Sequence, residues 1–306
     1  MPDSGANTAP FGAYAGPLTS LRARPWALVR MSWRQVRASR LLMIVLSAAV
    51  ICWLVFAILI YLHFNTGAIA ILQIAVQTLA PVNDKFFVTF LGIQALLAFF
   101  LTLILIPPLF SRDLAHNALP LYLSRPISKL GYVWGKLALS LGLLSLVTWV
   151  AGLILFALQA GLAGHGWARA HAHIGVALFF GSWIWLALMA LPAAAISTWA
   201  RRRLPATGAL LAWFFVPGIV AGVVDHGLTT PWGTLLSPLG LTRIAWRGLF
   251  HLTPRTRRPM LVQGRVIMLP YTPVPAWCAY LVIGVICLLC AVILWRRLQP
   301  LRGVRG

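Results

Sequence analysis

Acidic residues are almost missing from this chain. Four aspartates (Asp3, Asp84, Asp113, Asp225) and no glutamate stand against 25 lysines and arginines in 306 residues. Charged residues of both signs make up only 9% of the sequence, where soluble domains carry about a quarter. With so few carboxylates, and with no HExxH or GxSxG motif, an intramembrane hydrolase has neither a metal-ligand set nor a nucleophile and base. Cysteine is scarce as well: Cys52, Cys278, Cys287 and Cys290 all fall inside apolar runs, where they read as small packing residues. Cys287 and Cys290 share a helix face but lack the second ligand pair of a zinc site.

What the chain does have is hydrocarbon. It is 60% hydrophobic, and its long apolar runs predict an all-α integral membrane protein with six spans, at about 41–62, 86–110, 132–160, 174–200, 206–224 and 274–295. Residues 1–24, rich in Gly, Pro, Ala and Ser, read as a flexible tail, 25–297 as one transmembrane domain and 298–306 as a second tail. The first apolar run starts only at Leu41 and is too long for the core of a cleavable signal. Trp134, Trp199, Trp277 and Trp295 fall at span ends, where indoles prefer the membrane interface.

Basic residues set the expected orientation. With the N-terminus inside, the inner segments hold 17 of them, including Arg22 to Arg40, Lys136, Arg201 to Arg203 and Arg296 to Arg305, against eight outside. Of those eight, only Lys85 and Arg169 lie in short loops, where the charge rule is strongest. The expected location is a plasma (inner) membrane, with both termini cytoplasmic. Membrane lipid, not nucleic acid, is the partner of this positive charge, since no basic soluble domain remains to hold phosphate backbones.

Pro25 can open a helix, after which Trp26, Val29, Trp33 and Val36 recur at helical spacing beside Arg30, Arg34, Arg37 and Arg40. This predicts an interfacial helix with snorkelling arginines. Ile69 to Ala80 suggests a short semi-polar element. The segment 225–273 forms a long outer connection, in which Trp232 to Phe250 can fold as short re-entrant helices only if they pack on protein.

The polar insert between spans two and three, LFSRDLAHNALPLYLSRPISKLGYVWGK (Leu109 to Lys136), is the most patterned stretch. Pro107 and Pro108 bend or end the second span, Ser111 is a candidate N-cap, and Asp113 then falls in a first turn. Leu114, Ala118 and Leu121 share a face, and Arg125-Pro126 ends the element. The expected product is a short cytoplasmic helix exposing Asp113, His116, Asn117 and Arg125, suited either to docking a soluble partner or to joining two spans.

This stretch resembles the first intracellular loop of ABC-2 type transporter permeases. In that family an acidic residue, a small-Leu stretch, Ser/Arg-Pro and a terminal Gly-Lys recur; many members have Glu where this chain has Asp113. The wider layout of interfacial helix, six spans and long outer segment is similar. The resemblance implies an exporter-type permease whose coupling helix, with Asp113, His116, Asn117, Arg125 and Pro126, docks on a separate ATP-binding cassette subunit. It implies no enzyme activity and no cofactor in this chain, ATP and Mg²⁺ belonging to the partner. Consistent with that, GYVWGK lacks the spacing, the hydroxyl residue and the preceding strand of a phosphate loop, so Lys136 reads as an interface anchor or a loop-packing residue. Two protomers, identical or not, are needed to enclose a sizeable path. The alternative is a polytopic assembly or anchoring factor without transport activity.

Three further features have bland readings beside functional ones. His165, His171 and His173 sit in an outer loop at loose spacing with no carboxylate or thiolate expected nearby, so surface histidines fit better than a metal site. Asp225 and His226 close the fifth span, as an end-cap or as a proton-linked pair. No span holds an ionisable group near its middle, and the few polar residues there, chiefly Gln94 and Gln159, suit an amphiphilic or weakly polar cargo better than an ion.

Overall fold

A computed structural model of the chain describes residues 33, 39–65, 81–115, 129–199, 203–227, 230–253, 257–262, 265–270 and 272–297. Among them, six helices are long and apolar enough to cross a membrane, and the protein is a multi-pass membrane protein. The first span is α1 (Arg40–Phe64) and the second lies in α2 (Asp84–Ala115). The third is a continuous run of α3 (Lys129–Ser145), a π turn (Leu146–Val150) and α4 (Ala151–Ala163). The short α5 (His165–Ala170) leads into the fourth span, α6 (Ala172–Trp199), and the fifth, α7 (Arg203–Gly227). A 3-10 turn (Trp232–Leu236), α8 (Pro238–Leu249) and the hairpin β1 (Arg257–Val262) with β2 (Arg265–Pro270) precede the last span, α9 (Ala276–Arg297).

The fold is helical as expected, with this one antiparallel hairpin added outside the spans, paired from Arg257↔Pro270 to Val262↔Arg265. The expected interfacial helix is represented only by Trp33, which is helical and exposed; Arg30, Arg34 and Arg37 lie outside the described residues, as does the element at 69–80. The four interfacial tryptophans at span ends are all exposed.

The second and fourth spans form the centre. In each, 56% of the apolar window is buried, against 17% in the fifth and 22% in the first. Phe87, Phe90 and Phe99 are fully enclosed; Phe56 meets Phe86 and Phe90 edge-on at 4.9 and 5.2 Å, and Phe99 stacks on Phe214 at 4.2 Å. The fourth span approaches its neighbours closely through Ala190, Ala193, Ala194 and Ala195, as expected where packing rather than water exclusion drives association.

One expectation for the insert is corrected here. Ser111 and Asp113 do not open a new helix: α2 runs unbroken through Pro107 and Pro108 to Ala115, so both residues sit in its last turns. A proline ring already holds a helical φ, although it removes its own N–H bond and crowds the carbonyl four residues earlier. Breaking the helix at the membrane edge would leave more backbone groups unpaired than continuing it does. Pro192 and Pro217 are carried inside the fourth and fifth spans in the same way.

The segment between the fifth and sixth spans packs on the bundle. The 3-10 turn contacts α7, and α8 lies against α6 and α9. Trp246 Nε1 donates to the carbonyl of Gly181 at 2.9 Å, and Tyr280 Oη donates to that of Ala245 at 3.0 Å. Gly181 lies nine residues into α6, so the Trp246 indole reaches well below the span's end. Glycines make this close fit possible. A Cβ on Gly240 would collide with the Thr234 carbonyl, while Gly142 faces open space. Gly240→Ala should therefore destabilise the protein by about 2 kcal/mol or more, whereas Gly142→Ala should be neutral or stabilising by up to about 1 kcal/mol. Thermal melts of the detergent-purified variants check both; equal melting temperatures would contradict the packing of α8.

Candidate functional site

Both polar ends of the bundle carry organised side chains. At the end where α1 starts and α9 finishes, the insert is framed by α2 and α3, with residues 116–128 between them. Lys136 lies seven residues into α3 and is only 6% exposed. Its ammonium donates to the carbonyl of Leu109 at 2.5 Å, tying the third span to the second across 27 residues. A helix carbonyl keeps a lone pair after its own i→i+4 bond, and a charge-assisted bond to it is stronger than a neutral one. Of the two readings of Lys136, the loop-packing one describes this geometry.

The insert's other residues are only partly placed. Asp113 belongs to the last turn of α2, where a carboxylate opposes the helix dipole instead of complementing it. Its charge does not stabilise its own helix. His116, Asn117, Arg125 and Pro126 lie outside the described residues.

At the opposite end, three elements converge. Asp84, first residue of α2, receives His173 Nε2 at 2.8 Å from the start of α6. His251, just past α8, stacks on His173 at 5.1 Å, and His171 stacks on Trp167 at 4.5 Å. A carboxylate therefore does stand beside the histidines, contrary to expectation: 89 residues separate it from His173 in sequence. Among the described residues, no group of three or more such side chains is arranged to hold a metal ion.

His251 has φ of 49°, the one non-glycine residue with positive φ among those described. The cause is a helix stop. Leu252 N–H donates to Arg247 O at 3.0 Å and His251 N–H approaches Gly248 O at 3.4 Å, the paired bonds of a Schellman ending. Glycine normally occupies that position, since a side chain there costs roughly 1–2 kcal/mol. The stack on His173 accompanies the imidazole that stands in its place.

Asp225 closes the fifth span and is buried, accepting from Thr234 Oγ1 at 2.7 Å, while its Oδ1 has no hydrogen-bond partner. Its partner is thus the 3-10 turn; the His226 side chain lies outside the described residues. Ser237 caps α8 through the N–H of Gly240, and Pro238 fills the first helical position. The four cysteines are free thiols in the spans, Cys278 and Cys290 buried.

No protein-family model matches the chain, and no curated protein matches it.

The Lys136 clamp has a measurable consequence. Lys136→Met keeps the aliphatic stem and removes the donor, so the protein should lose about 1.5–3 kcal/mol, the range for hydrogen bonds to charged groups. Protease cleavage within 116–128 should accelerate in parallel. Unchanged stability and cleavage would show that the clamp does not hold the two spans together.

Proposed function

We propose that this chain is the permease subunit of an ABC-2 type, ATP-driven exporter. It docks a separate ATP-binding cassette subunit through the insert between spans two and three. The observation that carries this reading is the insert itself: a polar stretch with the family's acidic, Arg-Pro and Gly-Lys pattern, set between two spans that Lys136 ties together.

The mechanical sense of that arrangement supports it. Because α2 continues stiffly to Ala115 and Lys136 locks α3 to it, a push on the loop moves both spans as a unit. The second span is one of the two most buried, so the displacement passes directly into the bundle centre. Asp113, near the end of α2, supplies a docking charge. ATP and Mg²⁺ belong on the partner, and a second protomer, identical or not, completes the path. The end with the chain termini faces the cytoplasm of a plasma (inner) membrane, and the cargo is amphiphilic or weakly polar.

Two experiments test the reading. Single cysteines at Ser124 and Thr256 should react with an impermeant maleimide from opposite sides, Ser124 from the cytoplasm; same-sided labelling would overturn the topology. Asp113→Asn and Arg125→Ala should then weaken co-purification with the ATPase, or leave binding intact and abolish transport, at unchanged membrane abundance. Loss of a partly buried interface charge costs about 2–5 kcal/mol, whereas loss on a solvated loop costs about 0–1 kcal/mol. Normal assembly and transport in both variants would leave the insert a plain connector, and nucleotide-independent behaviour in reconstituted vesicles would favour the anchoring role.

A further inference from the structure

The third span is notched in its middle. The π turn at Leu146–Val150 inserts a wide turn into an otherwise α-helical span, a distortion often found at functional positions. Beside it opens a cleft of about 290 Å³ between the first and third spans, walled by Leu46, Val50 and Trp53 on one side and Val150 and Ile154 on the other, with Gln94 of the second span at its base.

Its chemistry is apolar. The two polar side chains that border it have their donors engaged: Trp53 Nε1 donates to Ala151 O, and Gln94 Nε2 to Ala49 O, both at 3.1 Å. The bond to Ala49 fixes which way the Gln94 amide points, and its Oε1, though without a hydrogen-bond partner, is buried. The surface that faces the cleft is therefore apolar, with no charged side chain to hold a headgroup. An engineered apolar cavity of about 150 Å³ stays dry and takes a hydrocarbon ligand, and this one is larger.

Its depth gives the same answer. Gln94 is ten residues into α2, roughly 15 Å at 1.5 Å per residue, which is about the middle of a 30 Å hydrocarbon layer. The rim residues Val50 (57% exposed) and Ile154 (51% exposed) run into the outer surface of the spans. The cleft is therefore continuous with the lipid-facing surface and opens sideways into the acyl region, not toward water.

We infer that this cleft is a binding site for the aliphatic chain of a membrane lipid, seated against the π turn. The inference stands apart from the transport reading and rests on the cleft alone. A bound chain would brace the first span, which is only 22% buried, against the notch in the third.

The test uses the full chain in phosphatidylcholine vesicles containing a trace of phosphatidylcholine with a diazirine at mid-chain. After irradiation, adducts are mapped by mass spectrometry. Leu46, Val50 and Trp53 share one face of α1, while Ile44, Ile51 and Ile58, all well exposed, share the opposite face. The cleft face should carry at least threefold more adduct than the open face. Val50→Trp, which fills the cleft from an exposed position, should lower the cleft signal at least threefold and leave the open face unchanged. Ile154→Trp fills it from the other wall and serves if the first variant fails to fold. Equal labelling of the two faces, or cleft labelling indifferent to both fillers, would overturn the site. So would a cleft face labelled less than the open one together with copy-to-copy cross-linking through Val50→Cys, which would assign the cleft to a second copy of the chain.

Discussion

A backbone carbonyl inside hydrocarbon has no water to bond, and after its helical bond it still offers one lone pair. The structure uses that lone pair repeatedly. Gln94 reaches Ala49, Trp53 reaches Ala151, Trp246 reaches Gly181, Tyr280 reaches Ala245 and Lys136 reaches Leu109, each a side-chain donor from one element on a carbonyl of another. The neutral bonds of this kind average about 0.6 kcal/mol in a membrane and the charge-assisted Lys136 bond about 1.5–3 kcal/mol, so none of them holds the bundle alone. Together they fix which helix faces meet, a job that greasy side chains in a greasy solvent do poorly.

The same constraint explains the irregular parts. Prolines stay inside helices, because a helix that continues loses one bond where a helix that stops loses several. The 3-10 turn and α8 are tolerated between the fifth and sixth spans because they are pressed on protein: Gly233 and Gly240 permit backbone contact, Ser237 caps the helix and Thr234 meets the Asp225 carboxylate. The two ends then differ in kind. At one, α2 runs on to Ala115 and Lys136 of α3 bonds the Leu109 carbonyl. The other is a junction, where Asp84, His173 and His251 bring the starts of two spans and the end of the re-entrant helix together.

Much of this was legible in the chain. The six apolar runs marked the spans to within a turn at most ends, since hydrocarbon thickness dictates their length. The re-entrant helix was visible in part: SPLGLTRIAWRGL begins with a capping serine and a first-turn proline, signals that place a helix start at Pro238. The hairpin had a weaker signature, two apolar-basic stretches around Gln263-Gly264, and was missed. Of the two readings of Pro107 and Pro108, a bend or an end, the end is excluded: in water the pair reads as a helix stop, and in a membrane the cost of stopping opposes it.

By itself, then, the sequence determined that this is a helical membrane protein, roughly where each helix crosses, and that a polar, patterned insert separates the second and third spans. Those properties follow from transfer free energies and local backbone preferences, which act residue by residue along the chain. Only the tertiary structure decided that Lys136 clamps Leu109, that Asp84 meets His173 across 89 residues, and that a π turn opens a cleft beside Trp53. In lipid, every apolar face of a helix is equally content facing outward. Which faces pair is settled by steric fit and by a few carbonyl-directed donors, and these exist only once the helices are side by side.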